Sequence, residues 1–219
     1  MDQAPQSKKR EVHPMLKKIL DFDKDVSGRI CFAAEKKLPI KKWKPTFKLL
    51  EVSCHGVPTI AATVAGIYLF RDSSIDCFLV NVLMALLLDL VCVAVVKAVA
   101  RRRRPAPNED DLLTVAAVDK FSFPSGHACR AVLLTGLLLA RGGWPTLLAP
   151  PLLAWACCVC ASRLLLRRHY LLDVLAGMAL GYLELAATLW LWLDADSCRG
   201  WVRWLGGVLG DDGADGREL

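Results

Sequence analysis

The chain has 219 residues, 54% of them apolar, and a net charge of +6 from 28 basic and 22 acidic residues. That apolar share excludes a disordered or collagen-like chain. Nine cysteines over this length do not make a small disulfide scaffold either. Residues 1–48 hold 13 basic against 6 acidic residues, and the remainder is close to neutral, so a basic arm precedes an apolar body. Nucleic acid explains a basic arm but not the apolar runs behind it, whereas a membrane explains both.

In chain order, residues 1–12 are polar and expected to be disordered, with no cleavable signal peptide at the start. Met15, Leu16, Ile19, Leu20 and Val26 then recur at roughly helical spacing, with Lys17, Lys18 and Lys24 among them. This pattern fits an interfacial helix and, equally, an amphipathic helix packed on the rest of the protein. Pro39, Trp43 and Pro45, mixed with Lys41, Lys42 and Lys44, mark the approach to a membrane interface. Five apolar runs follow, at 49–70 (kinked at Pro58), 77–97, 126–142, 146–163 and 170–193. Each is read as a span, because about 20 apolar residues cross the hydrocarbon core. Arg71-Asp72-Ser73-Ser74 turns the first run into the second, a polar loop covers 101–125, and Gly142-Gly143 with Pro145 turns the third into the fourth. A segment near 201–209, with Trp201, Trp204 and Leu205, is too short to cross and is placed at the interface, ahead of an acidic, Gly-rich tail. The expected architecture is an all-α polytopic membrane bundle of about five helices. It comprises an arm (1–47), a membrane domain (48–193) and a tail (194–219). Asp89, Glu184 and His55 are read as structural polar groups inside spans, and Cys157 and Cys160 as buried thiols rather than metal ligands.

Three polar clusters at the ends of the spans are not explained by a membrane alone. They are Lys97 followed, after six intervening residues, by Arg104-Pro105, then Pro124-Ser125-Gly126-His127, then Ser162-Arg163 followed by His169 and Asp173. Together they suit phosphoryl transfer through a phosphohistidine. Lys97, Arg104 and Arg163 supply three cations for phosphate oxygens. Ser125 supplies a hydroxyl, and Gly126 admits the backbone at a helix start whose amides attract an anion. His169 and Asp173 are four residues apart, so on a helix the carboxylate would hold one ring N–H and leave the other nitrogen to attack phosphorus. His127 is then the acid for the leaving oxygen and afterwards the base that activates water. No metal or other cofactor is required, since the three cations take the role of a metal ion. No P-loop is present, so no nucleotide is implied.

These clusters resemble the three signature motifs of the type 2 phosphatidic acid phosphatase superfamily, K-x6-R-P, P-S-G-H and S-R-x5-H-x3-D, with every specified position filled. The resemblance spans about residues 48–193. It implies an α-helical bundle, metal-independent phosphatase activity, and a site of Lys97, Arg104, Ser125, Gly126, His127, Arg163, His169 and Asp173. A narrower likeness is carried by Leu86 to Ala106, with its Arg quartet, and Val118 to Ala131 (VDKFSFPSGHACRA). These stretches are similar to the polyisoprenoid diphosphate phosphatases, which implies presqualene, farnesyl or geranylgeranyl diphosphate as substrate. It also implies residence in the endoplasmic reticulum and nuclear envelope. The alternatives are a broader lipid phosphatase (phosphatidate, lysophosphatidate or sphingosine phosphate) and a catalytically silent membrane scaffold. Partners are therefore a membrane and a lipid phosphate, not nucleic acid, with homo-oligomerisation left open. Within the Arg quartet only Arg104, directly before Pro105, holds a motif position, so Arg102 is expected to matter much less. The arm and the site are expected on one face, the cytosolic one.

Overall fold

The computed structural model describes residues 13–40, 42–70, 73–105, 121–143 and 146–208. The polar start at 1–12, Arg71-Asp72, most of the polar loop, Pro145 and the end of the tail lie outside them. Among the described residues the chain is helical, and its β pairing is one isolated bridge between Arg103 and Phe121. The helices are α1 (Pro14–Lys37), α2 (Lys44–Ser53), α3 (Gly56–Leu69), α4 (Ser73–Ala100), α5 (Gly126–Arg141), α6 (Ala149–Leu165), α7 (Leu171–Trp190) and α8 (Ala195–Val208), with a 3₁₀ turn at Thr146–Leu148 before α6.

Local sequence sets these boundaries. Pro14 sits at the start of α1, where a missing amide hydrogen costs nothing. That helix stops at Leu38, the residue before Pro39, which proline pushes into an extended conformation. Ser125 is the N-cap of α5, its hydroxyl accepting from the Ala128 amide at 3.4 Å. Gly143 takes φ +64° at the turn after α5, a conformation that glycine adopts without strain.

Ile75–Ala100, Thr146–Leu165 and Leu171–Trp190 are each long and apolar enough to cross a membrane. Lys44–Ser53 and Gly56–Leu69 together make a fourth such stretch. This first run is not merely kinked at Pro58. It breaks by 51° at Cys54-His55, three residues earlier, where α2 ends and His55 caps α3 with its ring. The remaining apolar run, the third in the chain (126–142), is α5, only 16 residues long, or about 24 Å at 1.5 Å per residue. It is the central helix, and Ala128, Cys129, Arg130, Ala131, Leu133 and Leu137 along it are buried. Leu133 and Leu137 pack with Val82, Ala85 and Leu86 of α4, and Leu185 and Leu189 of α7 close this cluster. Against α7 the approach is backbone to backbone. A Cβ at Gly177 would collide with the Ser125 carbonyl, and one at Gly181 with the Cys129 carbonyl. Small residues four apart are the usual device for such close helix contact in membranes.

The first and last helices, α1 and α8, are docked on this bundle. α8 is held to α4 by Asn81, whose amide accepts from Leu193 N (2.9 Å) and donates to Leu193 O (3.3 Å), with Cys198 buried beside it. α1 packs on α6 and α7: Cys31 Sγ lies 3.1 Å from Leu164 O, and Arg167 pairs with Glu35 at 3.1 Å. Another flank of α1 stays open, with Met15, Ile19 and Phe22 exposed.

Candidate active site

The three sequence clusters meet at one end of the bundle. Lys97 comes from the last turn of α4, Ser125 to His127 from the start of α5, Arg163 from the last turn of α6, and His169 and Asp173 from the entry to α7. The loop that carries His169 is tightly wound. The amides of Arg168 and His169 both donate to Arg163 O, at 3.1 and 3.2 Å, and Arg167 takes a left-handed φ of 55° to make the turn. The Ser125 amide donates to Asp173 O at 2.9 Å, which locks the start of α5 to the first turn of α7.

His169 is 3% exposed, and its Nδ1 lies 2.7 Å from the Ser122 carbonyl oxygen. A carbonyl only accepts, so Nδ1 carries the proton and Nε2 keeps its lone pair. Burial, followed by the charges of Arg104, Lys97 and Arg163, holds this imidazole well below its usual pKa, so it is neutral near pH 7. All three motif cations thus act electrostatically on the His169 ring. Asp173 does not do what spacing implies. Its Oδ2 is 3.9 Å from His169 Nδ1, beyond a hydrogen bond, and instead accepts from the Tyr170 amide at 2.9 Å. The reason is that α7 begins at Leu171, so His169 precedes the helix and the i, i+4 argument does not apply to it. Ser122, fully buried, takes the orienting role instead. It is tied to the end of α4 by its own amide, which donates to Arg102 O at 2.8 Å.

His127 has its backbone carbonyl against Cys54 Sγ (3.3 Å) and its ring 5.8 Å from that of His55, both at the α2–α3 break. Its Nε2 is buried and has no hydrogen-bond partner. Ser125 is fully buried as a helix cap and, while accepting from Ala128 N, retains its own hydrogen to donate. Gly126 lets α5 approach α4, since a Cβ there would lie 3.3 Å from Val93 Cγ1. Arg163 is paired with buried Glu51 of α2 at 3.3 Å, and Lys48 sits on the other oxygen of that carboxylate at 3.4 Å. Glu51 was not signalled by any motif. Arg102, expected to matter much less than Arg104, is tied to the site: Nη1 pairs with Asp173 Oδ1 at 2.7 Å and Nη2 with Asp23 Oδ2 at 2.6 Å.

Deeper in the bundle, Asp89 is in an ion pair with Arg130, and Glu184 Oε2 accepts from Cys129 Sγ at 3.3 Å. The ligand atoms of Asp89, Cys129 and Glu184 lie within 4.8 Å of one another, near enough to hold a metal ion. The Arg130 guanidinium already provides a cation on Asp89.

Comparison with known proteins adds to this geometry. The PAP2 superfamily profile matches residues 78–196, which carry all three clusters. The chain belongs to the PAP2 superfamily. It is 31% identical over 191 residues to the probable lipid phosphate phosphatase beta of Arabidopsis thaliana, covering 76% of this chain and 86% of that one. The crystal structure of Aquifex aeolicus LpxE matches its fold with a TM-score of 0.52 at 20% identity, over 70% of this chain and 87% of the other. As a PAP2 phosphatase this protein is a phosphoric ester hydrolase of the membrane.

Proposed function

We propose that this PAP2 protein is a lipid phosphatase that removes terminal phosphate from isoprenoid diphosphates and monophosphates through a phosphohistidine at His169, without a metal. The observation that carries the chemistry is the buried His169 ring, anchored through Nδ1 at 2.7 Å to the Ser122 carbonyl, with the charges of Arg104, Lys97 and Arg163 acting on it. Nε2 attacks the terminal phosphorus while the bond from phosphorus to the leaving oxygen breaks. His127 protonates that oxygen, then takes a proton from the water that attacks the phosphohistidine, which releases phosphate and restores His169. The cations and Ser125 stabilise charge that spreads over the equatorial oxygens. A diphosphate yields the monophosphate in the first turnover and the alcohol in a second.

The isoprenoid preference rests on the likeness around the Arg quartet and VDKFSFPSGHACRA. A broader preference for lipid phosphates is favoured by the Arabidopsis relative, whose name specifies only a lipid phosphate. Residence in the endoplasmic reticulum and nuclear envelope belongs to the isoprenoid reading. The test is phosphate release by purified protein in detergent with EDTA, offering farnesyl diphosphate and phosphatidate in parallel. The expected result is release that persists in EDTA and is faster with the diphosphate, with both turnover and trapped phosphoenzyme absent in His169→Ala. Labelled phosphate still bound to protein in that variant would move the nucleophile elsewhere. His127→Ala should still be phosphorylated by an ester with a good leaving group and should hydrolyse the intermediate slowly.

A further inference from the structure

We propose that the arm helix α1 is part of the active-site framework, with Asp23 a positioning residue that acts through Arg102 on Asp173 and the first turn of α7. The proposal rests on the reading of His169 as nucleophile, because α7 is the helix that His169 leads into. Asp23 and its helix lie outside residues 78–196, the part of the chain that carries the family pattern.

The three aspartates of α1 differ in kind. Asp21 and Asp25 are exposed and pair locally with Lys24 (3.0 Å) and Arg29 (2.8 Å). Asp23 is 3% exposed and has both oxygens engaged across the fold. Oδ1 accepts from the Leu172 amide at 3.0 Å, and Oδ2 accepts from Arg102 at 2.6 Å. One turn on, Ser27 Oγ accepts from the Leu171 amide at 2.9 Å. The first amides of any helix lack partners within it. In α7 they are satisfied by Asp173 for Tyr170, by Ser27 for Leu171 and by Asp23 for Leu172. The arm therefore caps the helix that follows the nucleophile, a task that usually falls to the residue just before a helix.

Arg102 completes the linkage. Its guanidinium spans Asp23 and Asp173 and lies over the Tyr170 ring, 4.2 Å from the centroid. A planar fork held at two corners and on one face has a fixed orientation, which a lysine cannot reproduce. Loss of the Asp23 carboxylate frees one corner of this fork and loosens its link to the cap on the Leu172 amide. The segment of His169, Tyr170 and Asp173 can then shift relative to Ser122 and the phosphate-binding groups. A misplacement of that kind costs rate rather than ground-state affinity.

The experiment compares wild type, Asp23→Asn, Arg102→Gln, their double variant, and Asp25→Asn as the control on the exposed face of α1. All are full-length protein in detergent. Readouts are kcat, KM, the acidic limb of kcat/KM against pH, and the thermal midpoint. Asp23→Asn should lower kcat by roughly 10- to 100-fold, with KM little changed, and Asp25→Asn should match wild type. The double variant should be no slower than the slower single one, because both act through one linkage. The limb should also move in opposite directions. The charged and titratable groups around His169 are Lys97 from α4, Arg104 after it, His127 from α5, Arg163 from α6 and Asp173 from α7, with Arg102 and, through it, Asp23 from α1 behind Asp173. Removing the Asp23 charge disfavours the protonated ring and shifts the limb to lower pH, while removing the Arg102 charge shifts it to higher pH. A merely structural lesion does not split the limbs. Wild-type kcat in Asp23→Asn, or single losses that multiply in the double variant, overturns the proposal. If Asp23→Asn aggregates, Arg102→Lys is held to the same kcat criterion. Retained activity in His169→Ala would instead overturn the underlying assignment of the nucleophile.

Discussion

A histidine that must attack phosphorus has to be unprotonated, and at His169 that condition is built from its surroundings. Burial and three nearby cations all disfavour the imidazolium, so its folded pKa lies below the ordinary value of 6.5. Two consequences follow with opposite readouts. The acidic limb of kcat/KM that belongs to this nitrogen should fall below pH 6.5, and Arg104→Ala, which removes the first-named charge, should move it upward; a pH–rate series on both proteins checks this. Stability responds too. Between the unfolded pKa and the lower folded one, the unfolded chain binds the proton first. The contribution of His169 is therefore intact above about pH 6.5 and declines as pH falls toward the folded value, which thermal midpoints in detergent would register. At this scale the candidate residues were legible, because Lys97, Arg104, Ser125, Gly126, His127, Arg163, His169 and Asp173 all come from local spacing. The partners of those residues were not. Ser122 acts through a backbone carbonyl, which every residue has, so no side-chain pattern reveals it. Asp23 and Glu51 are acidic residues in lysine-rich segments, where a sequence gives no hint that one carboxylate turns inward. Asp89, read as a structural polar group inside a span, does bond a neighbouring helix: its partner is Arg130, in the third apolar run three residues past His127. Asp89→Ala should cost about 3–5 kcal/mol, because it strands a buried guanidinium. The double variant Asp89→Leu/Arg130→Met should recover most of that, as measured by denaturation in detergent.

Among the helices, the contact that sets the site is the one between α5 and α7. Gly177 and Gly181 bring the α7 backbone onto the carbonyls of Ser125 and Cys129. Their spacing was visible in the sequence, but its meaning was not, since a glycine pair inside an apolar run does not say which helix it faces. Gly177→Ala should be harmful on two counts. It should destabilise by about 1–3 kcal/mol through overpacking, and it should lower kcat, because the Ser125 carbonyl it displaces belongs to the Ser125-Gly126-His127 turn. Gly136→Ala meets only the flexible end of Leu185 and should be milder on both. Melting curves and steady-state rates for the two variants decide it. The first apolar run illustrates a different limit. Composition joined 49–70 into one span, and Pro58 offered an obvious kink. The break falls instead at Cys54-His55, where Arg130 Nη1 donates to the Cys54 carbonyl at 3.1 Å and so satisfies a backbone oxygen released by the bend. A tertiary partner 76 residues away decides that position, and periodicity carries no trace of it.

For the whole molecule, the arm and the site share one end of the bundle, and this now rests on contact rather than on counting spans. Asp23, Ser27 and Cys31 of α1 touch Arg102, Leu171 and Leu164, which border the site. The α2–α3 break, with His55 beside His127, lies at that same end. From there α3 runs away from the site and α4 returns to it, so the α3 end at Leu69 and the α4 start at Ser73 lie at the far end. Which face is cytosolic is then a question of charge. The arm carries 13 basic against 6 acidic residues in its first 48, and basic segments resist translocation. The proposed phosphate-binding cations, Lys97, Arg104 and Arg163, lie outside that count, so the proposed function does not bias it. We therefore expect the site to face the cytosol. A glycosylation acceptor inserted between Phe70 and Ser73 should be modified in microsomes, and one inserted near Asn108 should not. The reverse pattern would turn the arm, α1 and the site together to the lumen, because their contacts do not allow them to part. It would also remove the isoprenoid reading, since a lumenal site cannot reach diphosphates whose charged head groups lie at the cytosolic leaflet.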